Sequence, residues 1–188
     1  MSLTHLPATQ HRRMPWKNGR GETTEIAVHP QGAGLADFGW RLSMAGVTEN
    51  GDFSIFPGID RTLAVLSGAG INLEVQGHGS HRLTAGVEPL AFPADVPASA
   101  QLLGGPITDL NLMTRRGAYA HQLRHATDPS PLGRPDWLLV LATAPTTLHI
   151  AGQEVVLAAL DALICDEAEA RSSPAPAPDL WLAEIRRL

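Results

Sequence analysis

The 188-residue chain has a single cysteine, Cys165. No disulfide can close within it, which fits a reducing compartment. Cys165 lies in the apolar run Ala162–Leu163–Ile164–Cys165, a setting in which a thiol is inert. Positive charge is also scarce: 14 Lys and Arg stand against 19 Asp and Glu, a net charge of -5. Electrostatically driven binding to nucleic acid or to an acidic membrane is therefore not expected. Long apolar runs are missing. No stretch reaches transmembrane length, and the opening residues MSLTHLPATQHRRMPW lack the apolar core of a signal peptide. The expectation is a soluble, cytoplasmic protein.

Chemical motifs are equally sparse. No serine stands in a G-x-S-x-G context. The 8 histidines include no H-x-H and no His/Glu cluster at ligand spacing. His121 and His125 are four apart, a spacing that suits one helical face, but no third ligand stands nearby. Gly19–Arg20–Gly21 does not follow a strand and open a helix, which excludes a phosphate-cradling loop. No metal and no cofactor are expected.

What the chain does have is short β-favouring runs separated by glycine and proline turns. The stretch Gly51 to Gly70 is the clearest. Pro57–Gly58 is a turn signal, since proline presets φ and glycine tolerates φ > 0. Thr62 to Leu66 follows as a strand apolar on both faces, and Ile71 to Val75 answers it as a hairpin partner. Further strands are expected at 23–28, 40–47, 100–103, 109–115, 137–142, 146–150, 154–157, 162–165 and 180–188. Residues 1–13 read as a polar lead-in, 77–81 as a tight turn, and 172–178 as a proline-rich loop. No long segment shows a 3.6-residue period. Turns every 8 to 12 residues point to an all-β sandwich or barrel. The strand-turn-strand character restarts near residue 118, so two stacked β units are expected: 1–117 carrying the polar motifs, and 118–188 sharing strands with it.

Alternation places a set of polar residues on shared faces or in loops. Lys17 and Asn18 sit in the loop after Trp16. Glu25 is on one strand, Arg41 and Ser43 on the next, and Asn111 on a later one; Asp60 and Arg61 stand at a bend. If the strands close around one cup, Glu25 and Arg41 can satisfy one another. Lys17 and one arginine are then left to meet an anionic ligand. Trp16 and Phe53 supply apolar walls. Each residue also has a plainer role open to it: a cross-strand Arg–Glu pair, an Asx-type turn at Asp60, a hydrophobic plug at Trp16. An acid–base enzyme using Glu25 or Lys17, and a ligand-free β scaffold, stay open as alternatives.

The segments PWKNGRGETTEI (15–26), WRLSMAGV (40–47), GDFSIFPGIDRTLAVLSGAG (51–70), FPADVP (92–97) and DLNLMTRR (109–116) together resemble the HutD/Ves family. The resemblance covers residues 14–117 and is only loose in character beyond. It implies a cupin-like (RmlC-like jelly roll) fold with two barrel units in one chain, a bicupin. It also implies a link to histidine utilisation, through binding of an intermediate such as formylglutamate in a regulatory, non-catalytic role. The usual cupin metal-ligand pattern is absent. Ala94 replaces the glycine of the family's F-x-G-D segment. The binding set expected on both grounds is Trp16, Lys17, Asn18, Glu25, Arg41, Ser43, Phe53, Asp60, Arg61 and Asn111. The expected partner is a small anionic metabolite, and a homodimer is allowed.

Overall fold

The computed structural model describes residues 3–16, 21–128, 133–150, 152–166, 174 and 177–188. These residues are all-β apart from one short 3-10 turn at Ala8–Gln10. The strands are β1 (Leu3–Leu6), β2 (Arg12–Pro15), β3 (Gly21–His29), β4 (Trp40–Val47), β5 (Gly51–Asp52) and β6 (Ile59–Ser67). Then come β7 (Ile71–Val75), β8 (Gly79–Leu83), β9 (Leu90–Pro93), β10 (Ala98–Leu102), β11 (Ile107–Arg115) and β12 (Tyr119–His125). The last are β13 (Trp137–Ala142), β14 (Thr146–Ile150), β15 (Gln153–Leu157), β16 (Ala162–Asp166) and β17 (Leu180–Arg187). No helix among them is long and apolar enough to cross a membrane.

The chain groups into two compact units, Arg12–Arg116 and Met1–His11 with Gly117–Leu188. The first holds a six-stranded sheet in the order β2-β3-β4-β11-β6-β9 and a four-stranded sheet in the order β5-β10-β7-β8. Both contribute to one core. Ala45, Val47, Leu63, Val65 and Ile107 of the larger sheet meet Ile71, Leu73, Val75, Ala98 and Ala100 of the smaller. The hairpin joining β6 to β7 needs its glycines. Gly70 has φ 103°, and a Cβ there would overlap the Leu83 carbonyl oxygen.

The second unit holds a five-stranded sheet, β1-β16-β13-β17-β12, and the β14-β15 hairpin. Leu138, Val140, Leu163, Cys165 and Leu182 of the sheet share a core with Leu148, Ile150 and Leu157 of the hairpin. Within it, Arg124 and Glu184 form a buried ion pair at 2.8 Å.

Most central strands fall where alternation puts them, and the C-terminal segment is a strand. The corrections lie at edges. The opening residues are not a lead-in: β1 pairs with β16, matching Leu3 to Cys165 and Leu6 to Ala162. Residues Gly79–Leu83 are a strand pairing with β7, and the turn before it is only 76–78. Leu90–Pro93 is likewise a strand, at the edge beside β6. His121 and His125 lie on β12, not on a helix. These pieces are short and polar on one side, so sheet pairing, not intrinsic propensity, makes them strands. The grouping of residues 1–11 with the C-terminal unit rests on the same β1–β16 pairing, which no local signal announces.

Candidate functional site

The site is built by cross-strand register on the core face of the six-stranded sheet. Pairing aligns Glu25, Ser43, Asn111 and Leu63 in one row across β3, β4, β11 and β6. The next row runs Arg41, Met113, Arg61 and Phe92, ending on β9. The row on the other side runs Thr23, Ala45, Asp109 and Val65. Directly opposed side chains on neighbouring strands stand about 5 Å apart, so residues up to 86 positions distant in sequence become neighbours. A register irregularity between Glu25 and Ala27 leaves Ile26 as an extra residue, which re-aims Glu25 towards Arg41.

Over these rows lies a cavity of about 350 Å³. Its floor is buried: Arg41, Ser43, Arg61, Asn111 and Met113. Trp16, Phe53 and Phe56 form its walls. Glu49, Asn50, Asp52 and Ser54 are exposed at its rim. Trp16 is fixed by an indole N–H donated to the Thr23 hydroxyl at 2.8 Å. The Phe53–Gly58 segment is tied down at Phe53 and Phe56, whose N–H groups donate to the carbonyls of Ala98 and Ala94.

The two arginines differ. Arg41 donates through Nε to Glu25 at 2.7 Å and reaches the Ser43 hydroxyl at 3.4 Å. Its charge is matched. Arg61 is 5% exposed and has no carboxylate within ion-pair distance among the described residues. Its Nε has no hydrogen-bond partner in the protein, and one terminal nitrogen meets only the Met113 sulfur at 3.8 Å. The rings of Phe53, Phe56 and Phe92 surround its guanidinium at 5.3, 5.4 and 5.8 Å. Burial brings its pKa down to about 10, against the pull of Asp109 and with a push from Arg41.

Asp109 lies beneath the floor with no exposed surface. Burial raises its pKa to about 7, even though Arg61, the Asn111 amide and the Ala45 backbone all favour the carboxylate. Asn111 donates its Nδ2 to Asp109 Oδ1 at 2.7 Å. Asn111 Oδ1 and Asp109 Oδ2 are buried without a partner in the protein.

Of the ten expected residues, Trp16, Arg41, Ser43, Phe53, Arg61 and Asn111 line this one cavity. Glu25 stands behind Arg41 as its counter-ion. Asp60 is the exception. Alternation sends it to the opposite side from Arg61, where it accepts from Arg116 Nε at 2.7 Å. Nor does it hold the Pro57–Gly58 turn; Asp95 Oδ2 accepts the Gly58 N–H at 3.3 Å. Lys17 and Asn18 lie outside the described residues. Phe56 and Asp109 were missed. Asp109 shares the alternating face of Asn111, which was the available signal. Phe56 is placed by a bend, which periodicity does not read. Among the described residues, no group of three His, Cys, Asp or Glu side chains sits close enough to hold a metal ion.

The HutD family model matches residues 8–180. A Pseudomonas putida protein, described as an uncharacterized 21.2 kDa protein in the hutC 3' region, is 40% identical over 155 residues. That match covers 81% of this chain and 80% of the relative. Protein Ves of Citrobacter koseri is 40% identical over 119 residues, 61% of each chain, so less than two thirds of that relative is matched. The structure of HutD from Pseudomonas fluorescens SBW25, in a formate condition, superposes with a TM-score of 0.80 at 32% identity and covers 100% of both chains. With its sequence matched nearly end to end and its fold superposing over the full length, the chain belongs to the HutD family.

Proposed function

We propose that the cavity in residues 12–116 binds a small carboxylate anion, and that the protein is a non-catalytic binder with a regulatory role. One observation carries this reading: Arg61, a buried cation at the cavity floor with no counter-charge within ion-pair distance among the described residues. A buried charge costs several kcal/mol in order of magnitude unless something compensates it. Asp109 helps from below, but it is itself poised near neutrality. A carboxylate entering from the cavity meets a guanidinium whose geometry suits two-point contact. The three phenylalanines keep water off that contact. The exposed carboxylates of Glu49 and Asp52 at the rim weigh against phosphorylated guests.

The described lining residues include no histidine, cysteine or lysine. Glu25, the base an enzyme reading would use, is engaged by Arg41. Both points favour binding over turnover. Kinship with the HutD family makes formylglutamate, or a related histidine-degradation intermediate, the leading ligand. We also read the two compact units as cupin-like jelly-roll barrels, a bicupin, with the ligand in the unit spanning residues 12–116.

The test is a thermal-shift series with formylglutamate and simple carboxylates. A ligand that binds only the native state raises the melting temperature by mass action. The wild-type protein should shift and Arg61→Met should not. Equal shifts in both, or none with any small carboxylate, would sink the reading.

A further inference from the structure

The polar atoms left over in the floor are not all donors. Arg61 Nε–H is an unpartnered donor, whereas Asn111 Oδ1 is an unpartnered acceptor. Asn111 lines the cavity and is 7% exposed. Its orientation is fixed, because Nδ2 is donated to Asp109 Oδ1 at 2.7 Å. A carboxylate alone would answer Arg61 and leave the Asn111 carbonyl unsatisfied. It would also bring oxygen lone pairs towards a carbonyl oxygen, which is repulsive. Buried polar atoms in folded proteins are nearly always paired.

We infer that Asn111, positioned by Asp109, is a specificity element, and that the cavity selects carboxylates carrying a hydroxyl or amide hydrogen over carboxylates without one. This rests on the anion-binding reading and names the ligand class more narrowly. A site built to hydrogen-bond a polar group rejects the analogue that lacks it, because its own polar atom is then buried unpaired. Asp109 is a positioning residue. As a carboxylate it can only accept, so it holds the Asn111 NH₂ group and turns Oδ1 away. Once protonated it can donate to Oδ1 instead; the amide can then reverse and present NH₂ to the cavity.

The charged groups facing Asp109 are Arg61 on β6 and, beyond it, Arg41 on β4, which Glu25 on β3 neutralises. The core residues that the smaller sheet supplies, such as Leu73, Val75, Ala98 and Ala100, are uncharged. On β11 itself the neighbour is Asn111.

The experiment titrates propionate, lactate and N-acetylglycine into the full-length protein. These are small monocarboxylates without a donor, with a hydroxyl, and with an amide N–H. At about pH 8, lactate or N-acetylglycine should bind roughly tenfold more tightly than propionate, the size of one buried hydrogen bond. The preference should shrink as pH falls through about 7, where Asp109 gains its proton. In Asn111→Leu, the three acids should bind alike. If all three bind the wild type equally and Arg61→Met abolishes binding, the anion site stands and the donor selection is wrong. A preference that ignores pH overturns the role of Asp109. If none of the three binds, both readings fall.

Discussion

Arg41 and Arg61 stand in the same row of one sheet, yet their substitutions should behave in opposite ways. Arg41→Met strips Glu25 of its partner at 2.7 Å and leaves a carboxylate at 10% side-chain exposure uncompensated. Breaking a buried pair in this way costs about 3–5 kcal/mol. Arg61→Met removes a cation that has no ion-pair partner and replaces it with an apolar chain among three phenylalanine rings. Its stability should hold or rise by about 1 kcal/mol, while anion binding is lost. Urea unfolding of the two variants at one pH decides the matter. A loss in Arg61→Met as large as that in Arg41→Met would mean that Arg61 is structural.

At the level of the element, the cavity depends on close approach and on one tether. Gly21 opens β3, and a Cβ there would overlap the Gly46 carbonyl on β4 and stand 2.9 Å from the Trp16 ring. The obstacle on one side is backbone, so it cannot give way cheaply. Gly21→Ala should cost on the order of 2 kcal/mol in urea unfolding and should move Trp16 off the cavity wall. Arg116 is the tether. It binds Asp60 and Asp95 and donates to the Ile59 carbonyl at 3.1 Å, while Asp95 holds the Gly58 N–H. Hydrogen bonds from Arg116 bring the pKa of Asp95 down to about 2. Arg116→Ala should leave overall stability little changed, because the network is largely exposed. It should nevertheless speed amide exchange at Phe56 and Ile59 and weaken ligand binding through the freed Phe53–Gly58 wall. Unchanged exchange at those amides would show that the wall holds without the tether.

Alternation alone put Glu25, Arg41, Ser43 and Asn111 on the right faces. A period of two is a local property, and buried strands obey it strictly. It also held the information that misled at Asp60: residues 60 and 61 are neighbours, so they cannot share a face. What stayed hidden was non-local. The β1–β16 pairing joins residues about 160 positions apart, and neither strand carries a mark of the other. The depth of Asp109 was hidden for the same reason. An aspartate alternating with Asn111 looks the same whether it faces solvent or the base of a cavity.

The pH dependence of stability belongs to the molecule as a whole, and here two carboxyls pull it in opposite directions. Burial alone would raise the pKa of Asp161. The Ala8 N–H, His5 and the Ala158 N–H outweigh it and hold the pKa below the ordinary value. Its contribution is therefore present above the unfolded pKa and is lost as pH falls through the lower folded one. Asp109 has the reverse sign. Its folded pKa, about 7, lies above the unfolded value, so the native state binds its proton more tightly. That advantage is full below the unfolded pKa of about 4 and drains away as pH rises to about 7. The protein should accordingly unfold at a higher urea concentration at about pH 5 than at about pH 8. Asp109→Asn, neutral at every pH, should match the wild type near the acid end of that window and exceed it at the alkaline end, with the acid limb from Asp161 unchanged. Parallel curves for the two proteins from about pH 4 to pH 8 would show that Arg61 keeps Asp109 ionised throughout, and the buried carboxyl would then be an ordinary counter-ion.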